Sequence, residues 1–325
     1  MSDTSATDWY RIENADTVDS PALMFYPDRI RENLRRIITI AGDSQRLWLH
    51  IKTHKMREVI RLALDAGITK FKAATVAEAE LVAECGAAEV ILAYPLVGPK
   101  ANRFAELVLA FPKTRFLTIG DDAHALSGLS EALVAKNVDG PIEILLDLDT
   151  GMHRSGVAPG PRAIEVYRRT NELPVLAPGG LHIYDGQFKE RDFEERCAHV
   201  AESLVPVDFL RDDLIAQGLC VPRVVAGGTP TFPVHARRAD FECSPGTCVL
   251  WDTGYESKFP DLDFLHAAVL LTRVISKPTP DRLCLDLGYK AVACDNPDPR
   301  VRLLDLPDAK AVVHNEEHLT VESSG

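Results

Sequence analysis

Two lysines and two histidines fall within six positions, His50-Ile51-Lys52-Thr53-His54-Lys55, directly after the apolar residues Leu47-Trp48-Leu49. A short apolar run of this kind reads as a buried strand, and unpaired charge is costly at a buried strand end. A lysine placed there is salt-bridged, reaches out to solvent, or is held with a depressed pKa as a nucleophile toward a carbonyl. Other reactive residues also follow apolar runs. Thr75 comes after 70–73, and Arg154 lies in Asp149-Thr150-Gly151-Met152-His153-Arg154-Ser155-Gly156 after 142–148. His182 and Tyr184 close the run 178–184, before Asp185-Gly186-Gln187. Gly227-Gly228-Thr229 follows 223–226 and exposes successive backbone N–H groups beside a hydroxyl, a nest that suits a phosphate monoester.

These residues need a frame that brings strand ends together. Residues 22–26 read as a strand, Asp28 sits after Pro27 as a helix N-cap, and Ile30, Leu34, Ile37 and Ile38 recur at helical spacing through 29–41. The alternation continues with strands at 47–51, 70–73, 89–93, 114–119, 142–148, 178–184 and 223–226. Helices are expected at 57–66, 76–85, 104–110, 122–136, 161–170 and 193–217. Repeated strand–helix units call for parallel strands with right-handed crossovers, and eight of them fit a closed TIM-type (β/α)8 barrel. No G-x-G-x-x-G follows the first strand, which speaks against a dinucleotide-binding sheet. Beyond about residue 236, short strand-like runs at 267–274, 282–287 and 310–313 alternate with Pro-, Asp- and Gly-rich turns. The expected organisation is an α/β barrel over residues 22–235, with 1–21 and 236–325 forming a smaller, mostly β domain.

In such a barrel the reactive groups lie at the C-terminal strand ends, and phosphate often binds after the seventh and eighth strands. A lysine at an early strand end, a phosphate nest opposite and an imidazole between them is the arrangement that pyridoxal 5'-phosphate requires. Plainer roles remain open for each residue. His182 suits a core histidine bonded to a carbonyl, Arg154 a strand-end ion pair, and the Gly-Gly pair an ordinary turn.

The segments His50–Lys55, Ala74-Thr75-Val76-Ala77-Glu78-Ala79-Glu80, Asp147–Val157, Gly180–Gln187 and Gly227–Thr231, in this order, resemble the D-threonine aldolase and D-serine dehydratase family. That family is part of the alanine-racemase-like, fold-type III pyridoxal phosphate enzymes, and the resemblance spans roughly residues 20–320. It implies that Lys52 is the Schiff-base lysine, that Arg154 approaches the cofactor's phenolic oxygen, and that His182 stacks on or orients the ring. Gly228 and Thr229, with Gly227, would hold the phosphate. Tyr255 of Asp252-Thr253-Gly254-Tyr255 would add a hydroxyl from the second domain, and Tyr184 and Thr75 are further pocket candidates. Lys55 then has a structural or electrostatic role, and His50 and His54 would act through their neighbours.

The implied activity is that of a lyase on a D-β-hydroxy-α-amino acid, with D-threonine aldolase-like cleavage to glycine and an aldehyde placed first. A D-serine dehydratase comes second and an amino-acid racemase third, the latter with Tyr255 or Tyr289 as a second base. A non-catalytic pyridoxal phosphate-binding protein is the reading from a different class. The resemblance also implies a homodimer and a divalent metal (Mn, Mg or Zn) held by a P-x-H-x-C or P-x-H-x-D segment. That segment is expected some tens of residues after one like Glu316-Glu317-His318, and no such motif precedes Gly325. A further C-terminal tail is the favoured expectation, because no closing strand is evident in the second domain. His314 and His318 read as strand and turn rather than as a helical metal pair.

Composition bounds the rest. A hydrophobic share of 46% with 26% charged residues is that of an ordinary globular chain and excludes disordered and fibrous classes. A net charge of -12 argues against a broad nucleic-acid surface but not against a local anion pocket. Cys85, Cys197, Cys220, Cys243, Cys248, Cys284 and Cys294 form no CxxC pair and read as reduced thiols. With a polar, acidic start and no long apolar run, a cytoplasmic protein with no membrane partner is expected.

Overall fold

The computed structural model describes residues 8–294, 296–298 and 300–323. It opens with β1 (Ala22–Phe25), α1 (Pro27–Ala41), β2 (Leu49–His50), α2 (Arg57–Asp65), β3 (Lys70–Ala73), α3 (Val76–Glu84) and β4 (Glu89–Leu92). There follow α4 (Pro99–Ala110), β5 (Arg115–Gly120), α5 (Ala123–Ala135), β6 (Ile142–Leu148), α6 (Pro161–Glu172) and β7 (Leu176–Ile183). Next come α7 (Phe193–Ala216), β8 (Val224–Ala226), α8 (Phe232–Ala236), β9 (Phe241–Cys243) and α9 (Thr253–Lys258). The chain continues with β10 (Ala268–Leu271), β11 (Val274–Thr279), β12 (Arg282–Leu285), β13 (Lys310–His314) and β14 (Leu319–Glu322).

The helices form where the apolar period and the caps agree. In α1, Ile30, Leu34, Ile37 and Ala41 repeat at helical spacing and are buried. Thr75 caps α3 by accepting the Glu78 amide at 3.1 Å, and the Glu78 carboxylate returns to the Ala74 amide at 2.7 Å. This reciprocal box fixes where β3 stops and α3 starts. Gly67 and Gly86, just beyond α2 and α3, take left-handed φ angles of 85° and 87°, as a helix C-terminus that turns back into a strand requires.

Strands β2 to β9 form one parallel sheet in sequence order. A parallel bridge from Leu47 to Cys243 joins its two edges, with the Trp48 amide on the Cys243 carbonyl at 2.8 Å and the His50 amide on the Pro245 carbonyl at 2.9 Å. The expected (β/α)8 barrel is therefore present. Its strands differ from the expected set by one at each end. Residues 22–25 pair antiparallel with β10 in the smaller unit, and the eighth barrel strand is β9, inside the stretch read as second domain. The three residues of β9 are too few to show a period, whereas the apolar run at 22–26 carries no sign of its partner.

The chain divides into a barrel unit, residues 28–250 and 255–265, and a smaller unit, residues 1–27, 251–254 and 266–325. The smaller unit holds the β1–β10 ribbon and an antiparallel sheet of order β11-β12-β14-β13 around Leu285, Leu287, Leu319 and Val321. Strand β14 runs between β12 and β13, so this sheet has the closing strand that the sequence reading lacked. Pro278, expected in a turn, lies in β11, an edge strand, where a missing N–H costs no ladder bond.

Inside the barrel, Trp48, Ile91, Leu117, Ile119, Leu145 and Val225 make one apolar cluster. Asn33 ties α1 to the returning segment. Its amide group donates to the Val249 and Leu265 carbonyls at 3.0 and 2.7 Å, and its oxygen accepts the Leu265 amide at 2.8 Å. Asn33 is fully buried, so Asn33→Ala strands three backbone groups. Loss of about 2–4 kcal/mol in denaturant unfolding is expected; a change below about 0.5 kcal/mol would show that water replaces these bonds.

Candidate active site

Strand alternation selects the side chains that face the barrel axis. Trp48 and Leu145 point inward in the apolar cluster, so His50 and Asp147, two residues on, point inward one layer nearer the C-terminal rim. On β3 the same parity places Lys70 and then Lys72 inside, and it places Glu242 of β9 and then Ser244, just after β9, inside. The deeper pair is matched, with Lys70 Nζ on Glu242 Oε2 at 2.8 Å. In the layer above, Lys72 Nζ meets the Ser244 hydroxyl at 3.0 Å.

Lys52 stands in the single turn of 3-10 helix that follows β2. Its Nζ lies 5.7 Å from the centroid of the Tyr184 ring, and the Arg154 guanidinium lies 4.6 Å from the same ring. Two cations thus lie against one aromatic ring. Burial and then the nearby Arg154 charge lower the Lys52 pKa, with Glu78 opposing in part. A lysine in this setting spends more time as a free amine than one in water. Lys55 instead pairs with the buried Glu78 at 3.0 Å, in line with a structural role.

Below the rim, His182 Nδ1 is 2.6 Å from Asp147 Oδ1, and Ser155 donates to Asp147 Oδ2 at 3.0 Å. Burial, and next the Lys72 charge, lower the His182 pKa despite this carboxylate. Burial raises that of Asp147, but the bonds from His182 and Ser155 outweigh it and leave the carboxyl below its ordinary value. The pair is therefore a neutral imidazole donating from Nδ1 to a carboxylate. Its buried Nε2 is left as an acceptor with no partner among the described residues.

The 227–229 turn is built by two anchors. Asp185 accepts from Thr231 at 2.7 Å and pairs with His235 Nε2 at 2.6 Å, all three being buried. Gly227 has φ 83°, and a Cβ there would come within 2.6 Å of the His235 ring, so only glycine fits. Thr229 is buried, and its hydroxyl oxygen accepts the Gly246 and Thr247 amides at 3.2 and 3.0 Å. One hydroxyl and two N–H groups thus converge from β8 and β9, and the amides come from a loop that the sequence reading did not single out.

The structure brings Lys52, Arg154 and Tyr184 together and places His182 in the same barrel lumen. Thr75 is engaged as the α3 cap. Tyr255 belongs to the barrel unit rather than to the second domain expected for it, and its ring packs on Phe259 at 5.6 Å. His314 is bonded within the protein, its Nε2 donating to the Leu287 carbonyl at 3.0 Å. Among the described residues no group of three or more His, Cys, Asp or Glu is arranged to hold a metal ion. Sequence reasoning missed Lys72, Ser244, Gly246, Thr247 and the Asp185–His235 pair. For Lys72 and Ser244 the inward parity was the available signal, once β9 was known to be a strand. A separate cavity of about 450 Å³ in the smaller unit, lined by Leu23, Leu270, Leu287 and Leu303 among others, holds none of the residues singled out.

Comparison with known proteins assigns this frame. Residues 26–252 match the alanine racemase N-terminal domain family, and residues 267–325 match a serine dehydratase domain. The chain belongs to the alanine racemase N-terminal domain family. A D-threonine aldolase from Arthrobacter sp. is 26% identical over 309 residues, covering 93% of this chain and 79% of that protein. A 3-hydroxy-D-aspartate aldolase from Paracoccus denitrificans is 28% identical over 319 residues, covering 94% and 80%. The crystal structure of D-threonine aldolase from Filomicrobium marinum superposes with a TM-score of 0.88 at 27% identity, covering 96% of this chain and 84% of that one. The resemblance carried by the sequence motifs is thus borne out, as is the fold.

This family implies pyridoxal phosphate, and the residues present fit it. An amine with a lowered pKa, a convergent hydroxyl and amide pair, and a buried imidazole acceptor without a partner occupy one lumen. Gly228 keeps the turn low, since a Cβ there would lie 3.2 Å from the Tyr184 ring.

Burial also lowers the pKa of His54 to about 4, and burial with the Lys72 and Lys52 charges takes His50 well below its ordinary value. The unfolded chain binds these protons near pH 6.5 and the native state does not, so stability is full above that pH and falls as pH drops toward 4. Acid unfolding of His54→Asn should be flatter across this window by up to about 3 kcal/mol. An unchanged slope would place the acid sensitivity elsewhere.

Proposed function

We propose that this chain is a pyridoxal phosphate-dependent lyase of D-β-hydroxy-α-amino acids. It cleaves Cα–Cβ in the manner of a D-threonine aldolase, to glycine and an aldehyde. The observation that carries this reading is the Lys52 amine, lowered in pKa beside Arg154 and held with it against Tyr184. Lys52 presents this amine to the cofactor aldehyde. Thr229 with the Gly246 and Thr247 amides, which here donate to its hydroxyl, would hold the phosphate, and Arg154 would meet the phenolic oxygen. His182, fixed through Nδ1 on Asp147, turns a basic Nε2 into the lumen, where it can accept a proton from the cofactor or substrate edge that faces it. The cofactor, when bound, supplies the electron sink that makes the bond to Cα breakable.

A divalent metal polarising the β-hydroxyl, a homodimer and a cytoplasmic location belong to the same proposal. All seven cysteines being free supports the last, and no helix among the described residues is long and apolar enough to cross a membrane. The match of residues 267–325 to a serine dehydratase domain supports a second reading, in which the β-hydroxyl leaves and a 2-oxo acid and ammonia form.

Purified enzyme with pyridoxal phosphate and manganese, offered D-threonine, D-serine, D-3-hydroxyaspartate and D-alanine, separates the readings. Glycine with aldehyde is the expected product; 2-oxo acid with ammonia would install the dehydratase, and an L-isomer the racemase. Lys52→Ala should lose the long-wavelength absorbance of the bound cofactor and about a thousandfold or more in kcat. A variant that keeps both would remove Lys52 from its role.

A further inference from the structure

Lys70 and Lys72 lie two residues apart on β3 and point the same way, yet only one has a carboxylate. Lys70 is paired with Glu242 at 2.8 Å. Lys72 is 3% exposed, and its Nζ contacts the Ser244 hydroxyl at 3.0 Å. Several charged or titratable groups face it. From β2 and the turn after it come His50 and Lys52, from β6 Asp147, from the loop after β6 Arg154, and from β7 and its end His182 and Asp185. Asp147 is taken by His182 and Ser155, and Asp185 by Thr231 and His235. The two histidines are neutral, so three basic side chains, Lys52, Lys72 and Arg154, converge on a lumen where Asp147 and Asp185 are already engaged. A buried ammonium without its own anion is costly.

The partner that Lys72 does have leads to the anion cradle. Ser244 accepts from Lys72 and donates to the Gly227 carbonyl at 2.8 Å, at the start of the 227–229 turn. Two and three residues after Ser244 come Gly246 and Thr247, whose amides point at Thr229. Lys72 is thus joined through one hydroxyl to both halves of the cradle.

We propose that Lys72 is the counter-cation of the phosphate ester held by this cradle, and that it takes up a proton when that anion binds. The inference rests on the cofactor reading above. Burial lowers the Lys72 pKa to about 7, with Asp147 opposing and Lys52 reinforcing the shift. A dianion a few ångströms away restores the charged form. Lys72 thereby makes phosphate binding stronger at low pH than at high pH.

Pyridoxine 5'-phosphate tests this without chemistry at Lys52, because it has no aldehyde. Calorimetric titration at pH 8 in two buffers of different ionisation enthalpy should show uptake of close to one proton by the wild type. Lys72→Met should abolish the uptake and weaken pyridoxine 5'-phosphate by about tenfold or more, while unphosphorylated pyridoxine is unaffected. Lys72→Arg, permanently charged, should bind the phosphate ester with no uptake, which decides the matter if the methionine variant folds poorly. Uptake that persists in either variant, or equal weakening of both ligands by Lys72→Met with Lys72→Arg still taking up a proton, overturns the inference. If the wild type itself binds no pyridoxine 5'-phosphate, the cofactor reading falls first and this one with it.

Discussion

Pairing of the first barrel strand with the last is the constraint on which the site depends. Leu47 and Cys243 are almost two hundred positions apart in the chain, and only the bridge between them sets β2 beside β9. That closure brings the turn bearing Lys52 next to the loop bearing Ser244, Gly246 and Thr247. A Cβ on Gly246 would lie 3.0 Å from the His50 carbonyl, which shows how closely the two backbones approach. Loop-closure entropy opposes so distant a contact, and the inward Trp48, Lys70 and Glu242 help to offset it from within the lumen. An open sheet with the same strands would leave the amine and the phosphate donors on opposite edges.

The closed lumen then collects positive charge that its own carboxylates do not neutralise. Lys52 and Arg154 lie against the Tyr184 ring, and Lys72 is buried deeper in the barrel. Asp147 and Asp185 are committed to holding His182 and His235 in fixed orientation. An anion in this lumen would offset charge that the carboxylates leave unbalanced. Site residues that cost stability until a ligand arrives are a common feature of preorganised centres. Burial and then the Arg154 charge lower the Lys52 pKa, so the setting that gathers these cations also favours the free amine.

Much of this was legible in the sequence because strand ends announce themselves. Apolar runs followed by Lys52, Arg154 and His182 could be aligned as neighbours once eight strand–helix units were counted. The phosphate turn was visible as Gly227-Gly228-Thr229, although its second half was not. Gly246 and Thr247 follow a three-residue strand that no window of periodicity detects, and without β9 neither Ser244 nor the partner of Lys72 could be placed. Thr75 also serves a cap with Glu78, a role that the spacing Thr75-x-x-Glu78 does encode. Tyr255 was assigned to the other unit because a boundary falls one residue before it, inside a continuous helix.

The central claim is that one amine among three nearby lysines, Lys52, carries the cofactor at this rim. Reduction of the pyridoxal phosphate-loaded enzyme with borohydride, followed by peptide mass mapping, tests it most directly. The account predicts a single phosphopyridoxyl group, on Lys52, with Lys55 and Lys72 unmodified. A label on Lys72 or Lys55, or no stable label at all, would contradict it.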